Sequence, residues 1–387
     1  MKLIYVTNAR IPTEKAHGLQ IMKSCEAFAL KGTDVKLIAP LRINTSAENP
    51  FDYYGIKKKF PIKKIFCLDL FGFPFLPKRI AFYLQSLSFS FFASLRLLPV
   101  KNENTVFYSR DFATLFFLCL FGSNPVAEIH DYRSVKRRWA INYVLINSRK
   151  IVVNSPGTME LVRNHYPDIP ADKFLAVPNG VDLEFFNIKE SKEVARGNLG
   201  IPQEKKIVAY IGSLEVVGMG KGMEDLIRAF EIVEKSDRNA ELYIIGGPDG
   251  LVPKYRKATD SGLIKFTGRA DYKKIPLYLR AVDVVVIPLP EGRHSITTSP
   301  IKLFEYLAAG KAIIASDMPS LRQYLNEKNA LFFKAGDFKD MADKIKLILE
   351  NSNLSDNLAM QAREDSREYS WLSRAETIKK FILSNGH

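Results

Sequence analysis

Short apolar runs rich in Val, Ile, Phe and Tyr alternate with helical patterns along nearly the whole chain, and no feature narrows its fold more. Runs at residues 2–7, 34–40, 105–110, 126–130 and 150–155 read as strands; the rhythm restarts at 206–214 and continues through 241–247, 264–268, 283–288, 312–317 and 330–333. Strands separated by helices pair in parallel as βαβ units, with helices on the faces of the sheet. Two series therefore predict two sheets, and 387 residues suffice for two domains that each bury a core. Between the series, His165-Tyr-Pro-Asp-Ile-Pro-Ala-Asp is polar and proline-bearing, and Val177-Pro-Asn-Gly-Val-Asp182 holds an Asn-Gly pair that can supply positive φ in a tight bend. The hinge is placed there. The expected organisation is a domain over 1–170, a second over 171–365 and a C-terminal helix over 366–387. The tail from 356 to 383 reads as one or two amphipathic helices anchored by Tyr369, Trp371 and Leu372.

Charge divides the chain unequally. Residues 1–165 carry 24 Lys and Arg against 11 Asp and Glu, whereas residues 166–387 carry 32 against 31. The basic half implies an anionic partner: a membrane surface, a phosphorylated acceptor or nucleic acid. Helix-turn-helix, zinc-finger and RNA-recognition signatures are missing, which argues against nucleic acid. Basic clusters at 57–59, 63–64 and 78–79, and at Arg133, Lys136, Arg137 and Arg138, sit beside aromatic residues such as Phe71, Phe73, Phe75 and Trp139. The apolar stretch 80–98 includes Gln85, serines 86, 88, 90 and 94, and Arg96, so it makes a poor transmembrane span. It is expected to pack as a helix on the first sheet, with its basic and aromatic neighbours free to dock at a lipid surface. Cys25, Cys67 and Cys119 are widely spaced within or beside apolar segments and read as buried thiols, not as a disulfide framework or metal site. The N-terminal residues lack the longer apolar core and small-residue cleavage site of a signal peptide, so a cytoplasmic protein is expected.

Open parallel sheets bind ligands beyond the carboxyl ends of their strands, where amides and helix N-termini gather. Residues 299–317 read as a loop, a helix ended by Gly310 and a buried strand. Within that helix Glu305 lies among apolar neighbours. Lys221 and Gly222 follow a glycine-bearing loop, Val216-Val-Gly-Met-Gly220. In the first half, Glu128-Ile-His-Asp-Tyr132 ends one strand with His130, Ser109-Arg110-Asp111 ends another, and His17-Gly18 follows the first. Asp-x-Asp, HExxH, GxSxG and GxxxxGK[ST] do not occur, which argues against metal-diphosphate, zinc-protease, serine-hydrolase and P-loop chemistry.

Four segments together, Ile11-Pro-Thr-Glu-Lys-Ala-His-Gly-Leu-Gln20, Val177-Pro-Asn-Gly-Val-Asp182, Tyr210-Ile-Gly-Ser-Leu214 with Lys221-Gly222, and Ser299-Pro-Ile-Lys-Leu-Phe-Glu-Tyr-Leu-Ala-Ala-Gly310, resemble the family-4 retaining glycosyltransferases of the GT-B fold. The resemblance implies an α/β protein of two Rossmann-like parallel-sheet domains facing across a cleft, with the C-terminal helix crossing back to the first. It implies transfer of a hexose from a nucleoside diphosphate sugar, a UDP- or GDP-sugar, to an acceptor hydroxyl with retention, and no cofactor besides the donor. It assigns Glu305 to the ribose, and Lys221 with the amides of Ile301, Lys302 and Leu303 to the diphosphate. His130 is assigned to the sugar, and Gly18 to a loop that approaches the sugar-phosphate. Gly212 begins the second domain's first loop.

Two positions depart from the pattern. Ser213 stands where the family has a phosphate-clamping Arg, and Thr297 where it has a Glu near the transferred sugar; Lys302 or Arg269 is the candidate replacement for the missing guanidinium. His17, Arg110, Arg133, Lys136, Arg137 and Arg138 belong to the expected acceptor or membrane side. A sugar, lipid-linked or phosphorylated acceptor in envelope or polysaccharide synthesis follows. An epimerase or phosphorylase on the same architecture, or a nucleotide-sugar-binding protein without catalysis, remains open at this point.

Overall fold

In the second half, Ile207, Ala209 and Ile211 pack into one buried cluster while Val208 and Tyr210 pack into another. One strand that feeds two cores must be covered on both faces, as a parallel sheet flanked by helices is. The computed structural model describes residues 1–43, 48–73, 75–130, 139–216, 219–292, 297 and 299–384. Their chain forms two units, Met1–Gly180 with Trp371–His387, and Val181–Ser370.

The first unit holds β1 (Lys2–Val6), β2 (Asp34–Leu41), β3 (Ile62–Phe66), β4 (Thr105–Ser109), β5 (Val126–Ile129), β6 (Lys150–Val153) and β7 (Phe174–Ala176). Among the described residues these make a parallel sheet in the order β3-β2-β1-β4-β5-β6-β7. The longer helices of this half are α1 (Ala16–Leu30), α2 (Lys78–Leu97), α3 (Phe112–Leu120), α4 (Trp139–Asn147) and α5 (Pro156–His165). Strand order reverses beside β1 and β4, so the crevice where an open sheet takes a ligand lies beyond Val6 and Ser109. Strands β3 and β7 are additions to the sequence reading. Lys63 and Lys64, exposed on the edge strand β3, break its apolar pattern in the way edge strands discourage pairing with other chains; β7 has only three residues.

The second unit holds β8 (Lys206–Ile211), the short pair β9 (Glu215–Val216) and β10 (Met219–Gly220), then β11 (Ala240–Ile245), β12 (Ile264–Gly268), β13 (Val284–Ile287), β14 (Ala312–Ser316) and β15 (Ala330–Phe333). The main sheet runs β12-β11-β8-β13-β14-β15, all parallel, and its order reverses at β8 and β13. Its longer helices are α6 (Lys192–Leu199), α7 (Met223–Ser236), α8 (Ile275–Ala281), α9 (Ile301–Ala308), α10 (Phe338–Glu350) and α11 (Ser352–Asp365). The stretch before Lys221 is not a plain loop: β9 and β10 pair antiparallel, Glu215 opposite Gly220.

The last helix, α12 (Trp371–Leu383), belongs to the first unit and is joined to α1 by the Lys31–Glu376 ion pair. Trp371 is buried against Gly180, where a Cβ would lie 2.6 Å from the indole ring. Leu372 points outward and is no anchor, because neighbouring helical residues are about 100° apart and Trp371 already takes the inward position. Tyr369 anchors within the second unit, its ring 5.0 Å from Phe304 and 5.8 Å from Tyr324. All three cysteines are buried thiols.

Candidate functional site

Beyond the reversal point of the second sheet, several close approaches shape the ground. Gly212 follows β8 with φ 154°, and Gly246 follows β11 with φ 149°. A Cβ on Gly246 would sit 1.8 Å from the Gly212 carbonyl, so the two strand ends touch backbone to backbone. Gly222, at φ 76° before α7, has the Pro288 carbonyl 1.7 Å from where its Cβ would be. Only glycine fits there. Helix α9 is pinned to β8 by the Tyr306 hydroxyl, which accepts from the Ile211 amide at 2.8 Å and donates to the Ile211 carbonyl at 2.9 Å.

That docking places Lys302 over the end of β8. Its ammonium lies 3.7 Å from the centroid of the Tyr210 ring, is sealed from solvent, and has no hydrogen-bond partner among the described residues. Burial, with the nearby Lys221 ammonium, holds its pKa well below the usual lysine range, while Glu305 pulls the other way. Lys221 is itself buried, and its pKa is lowered by that burial. Two neighbouring buried cations are costly without an anion.

Glu305 is 8% exposed and its pKa is pushed up to about 7 by burial, against the opposing effects of the Tyr272 hydroxyl bonded to it and of Lys302. Tyr272 is held by stacking on Phe185, centroids 5.2 Å apart. The first amides of a helix lack intrahelical acceptors. Here, however, the Leu303 amide turns back to the Pro300 carbonyl at 3.1 Å, which corrects its assignment to a ligand and leaves those of Ile301 and Lys302.

The candidates for the missing guanidinium can now be ranked. Lys302 lies against Gly212; Arg269 follows β12, two strands from β8, which is roughly 10 Å. Its amide donates to Asp249 at 2.7 Å and its side chain is exposed. Ser213 turns its hydroxyl to the Glu215 carbonyl, within its own hairpin. Thr297 is half-buried, but residues 293–296 and 298 around it lie outside the described residues. So do Arg133, Lys136, Arg137 and Arg138.

In the first unit the strand ends gather His17, Arg110 and His130. The Arg110 guanidinium donates to Gln20 at 2.8 Å, and Gln20 donates to Asn179 at 3.1 Å. Burial and the charge of Arg110 push the pKa of both His17 and His130 down to about 4, so both are neutral at pH 7. His130 Nε2 lies 2.6 Å from Glu128 Oε1. Glu128 also pairs with Arg374 of α12 and accepts from the Tyr5 hydroxyl at 3.3 Å. Arg374 and His130 hold the Glu128 carboxyl well below its usual range despite burial. An ionised acceptor fixes the proton of neutral His130 on Nε2 and leaves Nδ1 as a hydrogen-bond acceptor.

Gly18 has a different role from the one expected. The space beside it is filled by Tyr54, whose hydroxyl would lie 2.2 Å from a Cβ there, and its amide donates to Lys15 at 2.9 Å. Tyr54 in turn accepts from the Thr13 amide and donates to the Thr13 carbonyl, both at 2.7 Å. Gly18 makes room for a packed tyrosine that ties down the segment before α1.

Sequence reasoning missed Tyr272, Tyr306 and Arg374. Their partners lie 33, 95 and 246 residues away, beyond any local pattern. Glu128 could have been found, since residues i and i+2 of a strand share a face and this one precedes His130 by two.

Comparisons with known proteins find glycosyltransferases. Residues 191–365 match the family model described as glycosyl transferases group 1. The D-inositol 3-phosphate glycosyltransferase of Corynebacterium glutamicum is 26% identical over 257 residues, 63% of this chain and 59% of that protein. The phosphatidyl-myo-inositol mannosyltransferase of Mycobacterium tuberculosis is 25% identical over 234 residues, 59% of each. The chain thus spans less than two thirds of the length of these curated relatives. Among solved structures, sucrose-phosphate synthase from Thermosynechococcus elongatus superposes with a TM-score of 0.74 at 18% identity, covering 98% of this chain and 97% of that one. Anabaena HepE in complex with UDP gives 0.73 at 14%, covering both chains fully. The chain is similar to group 1 glycosyltransferases over residues 191–365, and its two parallel-sheet units have the GT-B fold.

Proposed function

We propose that this protein transfers a hexose from a nucleoside diphosphate sugar to an acceptor hydroxyl, with retention at the anomeric carbon. The observation that carries the reading is the buried, unpartnered ammonium of Lys302 beside Lys221 at the reversal point of the second sheet. A diphosphate there supplies the missing negative charge, and the amides of Ile301 and Lys302 at the start of α9 add donors aligned with the helix dipole. As the bond to the sugar breaks, charge grows on the leaving phosphate, and two preplaced cations stabilise it without reorganising. Ser213 contributes no charge; Lys302 takes that part. Ionised Glu305 accepts from the ribose hydroxyls. Neutral His130 offers Nδ1 to a sugar hydroxyl, its ring oriented by Glu128. The described residues suggest no protein nucleophile near Lys302, and a proton from the acceptor goes to the departing phosphate.

UDP is favoured as the nucleotide because the solved HepE structure holds it on the same fold. A phosphorylated or lipid-linked acceptor is supported by the inositol-phosphate and phosphatidyl-inositol names of the relatives, and the reaction is proposed to lie on the cytoplasmic side, in envelope or polysaccharide synthesis. The departures at Ser213 and Thr297 favour one rival, a nucleotide-sugar-binding protein without turnover. Product analysis decides. The protein is incubated with UDP- and GDP-hexoses, with and without a membrane-lipid extract, and products are resolved by mass and anomeric configuration. Transfer of the hexose to an extract component with its configuration retained supports the proposal. Binding without any transfer supports the rival, and an epimerised sugar in the absence of acceptor rejects both.

A further inference from the structure

Helix α2 is apolar on its outward face as well as on part of its inner one. Inward, Phe89, Ala93 and Leu97 enter the core of the first unit, with Gln85, Ser90 and Ser94 buried beside them. Its outward stripe is Ile80, Leu84, Leu87, Phe91 and Leu95, each between 39% and 49% exposed and spaced by three or four residues. A surface helix normally keeps its outward face charged or polar. The stripe does not end at the helix. Phe91 lies 5.7 Å from Phe117 of α3, Phe117 lies 5.7 Å from Phe116, and Phe116 lies 5.8 Å from Trp139 of α4, which is 77% exposed. A continuous aromatic and aliphatic surface of this extent marks an interaction face.

Charge says what covers it. Residues 54–102 carry nine Lys and Arg against a single acidic residue, Asp69. Lys57, Lys58, Lys59, Lys63, Lys64 and Lys101 are exposed. Lys78 and Arg79, also exposed, open α2 at the positive end of its dipole, where cations destabilise a helix, so helix stability does not account for them. A second protein surface would need a matching acidic patch with an apolar centre; an anionic bilayer supplies both components everywhere on its face.

By length and composition α2 could cross a membrane. The hydrogen bonds of its buried polar groups rule that arrangement out for the folded protein. Gln85 donates to Asn8 at 2.8 Å, the Ser90 and Thr114 hydroxyls lie 3.1 Å apart, and the Leu68 amide donates to Ser88 at 3.0 Å. These bonds tie the helix into the first unit, and a span would break them in a medium with no replacement partners. Such a helix lies in the interface plane.

We propose that the outward face of α2, continued through Phe116 and Phe117 to Trp139, docks the first unit on an anionic phospholipid bilayer. The proposal is independent of the donor site in the second unit. It is tested by floating the full chain with vesicles of phosphatidylcholine alone or mixed with phosphatidylglycerol, while following tryptophan emission. Trp371 is buried, so a blue shift on binding reports Trp139. The expected result is flotation with the mixed vesicles, a blue shift, and weakening by salt. Leu87→Ser/Phe91→Ser and, separately, Lys78→Ala/Arg79→Ala each lower the partition coefficient by about tenfold or more. All four positions are exposed, and circular dichroism verifies the fold of each variant. Failure of the wild type to float with mixed vesicles at low salt overturns the proposal, as does equal partition of wild type and both variants. A wild-type dimer that Leu87→Ser/Phe91→Ser converts to monomer assigns the face to a second copy and overturns it too.

Discussion

Replacing Lys302 with Met keeps the length and volume of the side chain and removes its charge. In the free protein the wild-type ammonium is buried with no hydrogen-bond partner, so its desolvation is uncompensated; what it gains is the contact with the Tyr210 ring. Such a contact is worth about 0.5–2 kcal/mol, whereas an uncompensated buried ion costs several kcal/mol. Lys302→Met should therefore leave the free protein as stable or raise its Tm. The sign with pH follows from the lowered pKa. A lysine whose folded pKa lies below its unfolded one destabilises the fold while it is protonated, and that cost fades as pH rises through the folded pKa. The Tm difference between variant and wild type should accordingly shrink at alkaline pH. Nucleotide binding should move the opposite way. Losing a buried charge-assisted contact to a phosphate costs about 2–4 kcal/mol, or about 30- to 1,000-fold in Kd. Calorimetry with UDP and thermal unfolding over a pH series read both effects. A variant that binds UDP as the wild type does, or whose free form is markedly less stable, refutes the idea that Lys302 is held ready for an anion.

Further outcomes follow from the same structure. Glu305 has its pKa raised to about 7, so its contribution to stability is present below about pH 4.5 and lost as pH rises through 7; relative to Glu305→Gln the free protein should lose about 3 kcal/mol across that window, seen by urea unfolding. Arg374→Met strands the Glu128 carboxylate in the core and should cost about 3–5 kcal/mol, with much of it restored in the Arg374→Met/Glu128→Gln double variant. Because Glu128 is held below its usual range, that pair's stabilisation exists at neutral pH and disappears as pH falls, so the penalty of Arg374→Met should narrow in acid. Gly222→Ala places a Cβ against the Pro288 carbonyl at positive φ and should cost more than about 1 kcal/mol while displacing Lys221, so UDP affinity falls along with Tm.

The second sheet was readable strand by strand because most of its members are short apolar runs bounded by turn residues, as in Val284–Ile287 and Ala312–Ser316. β3 escaped because Lys63 and Lys64 interrupt its apolar pattern, and β9 and β10 because two-residue strands leave no period to detect. Glu305 stood out as a carboxylate among apolar neighbours, yet the tyrosine that bonds it lies 33 residues earlier, where no spacing rule points. Lys302 and Arg269 could not be separated on paper; strand order separates them, and order is a property of the fold. The outward face of α2 was illegible for a physical reason. Hydrophobic periodicity locates an amphipathic helix by a single apolar side, and a helix with apolar residues on two sides leaves open which one faces out; the burial of Phe89 and the bonds of Gln85 and Ser90 identify the inner one.

The most direct test of the central claim is calorimetric titration of UDP, GDP and their hexose conjugates into the wild type and Glu305→Ala. Saturable binding of one nucleotide sugar, weakened at least tenfold in Glu305→Ala by loss of the charge-assisted bonds to the ribose, is the predicted result. Absence of binding by every nucleotide sugar to well-folded protein would contradict it.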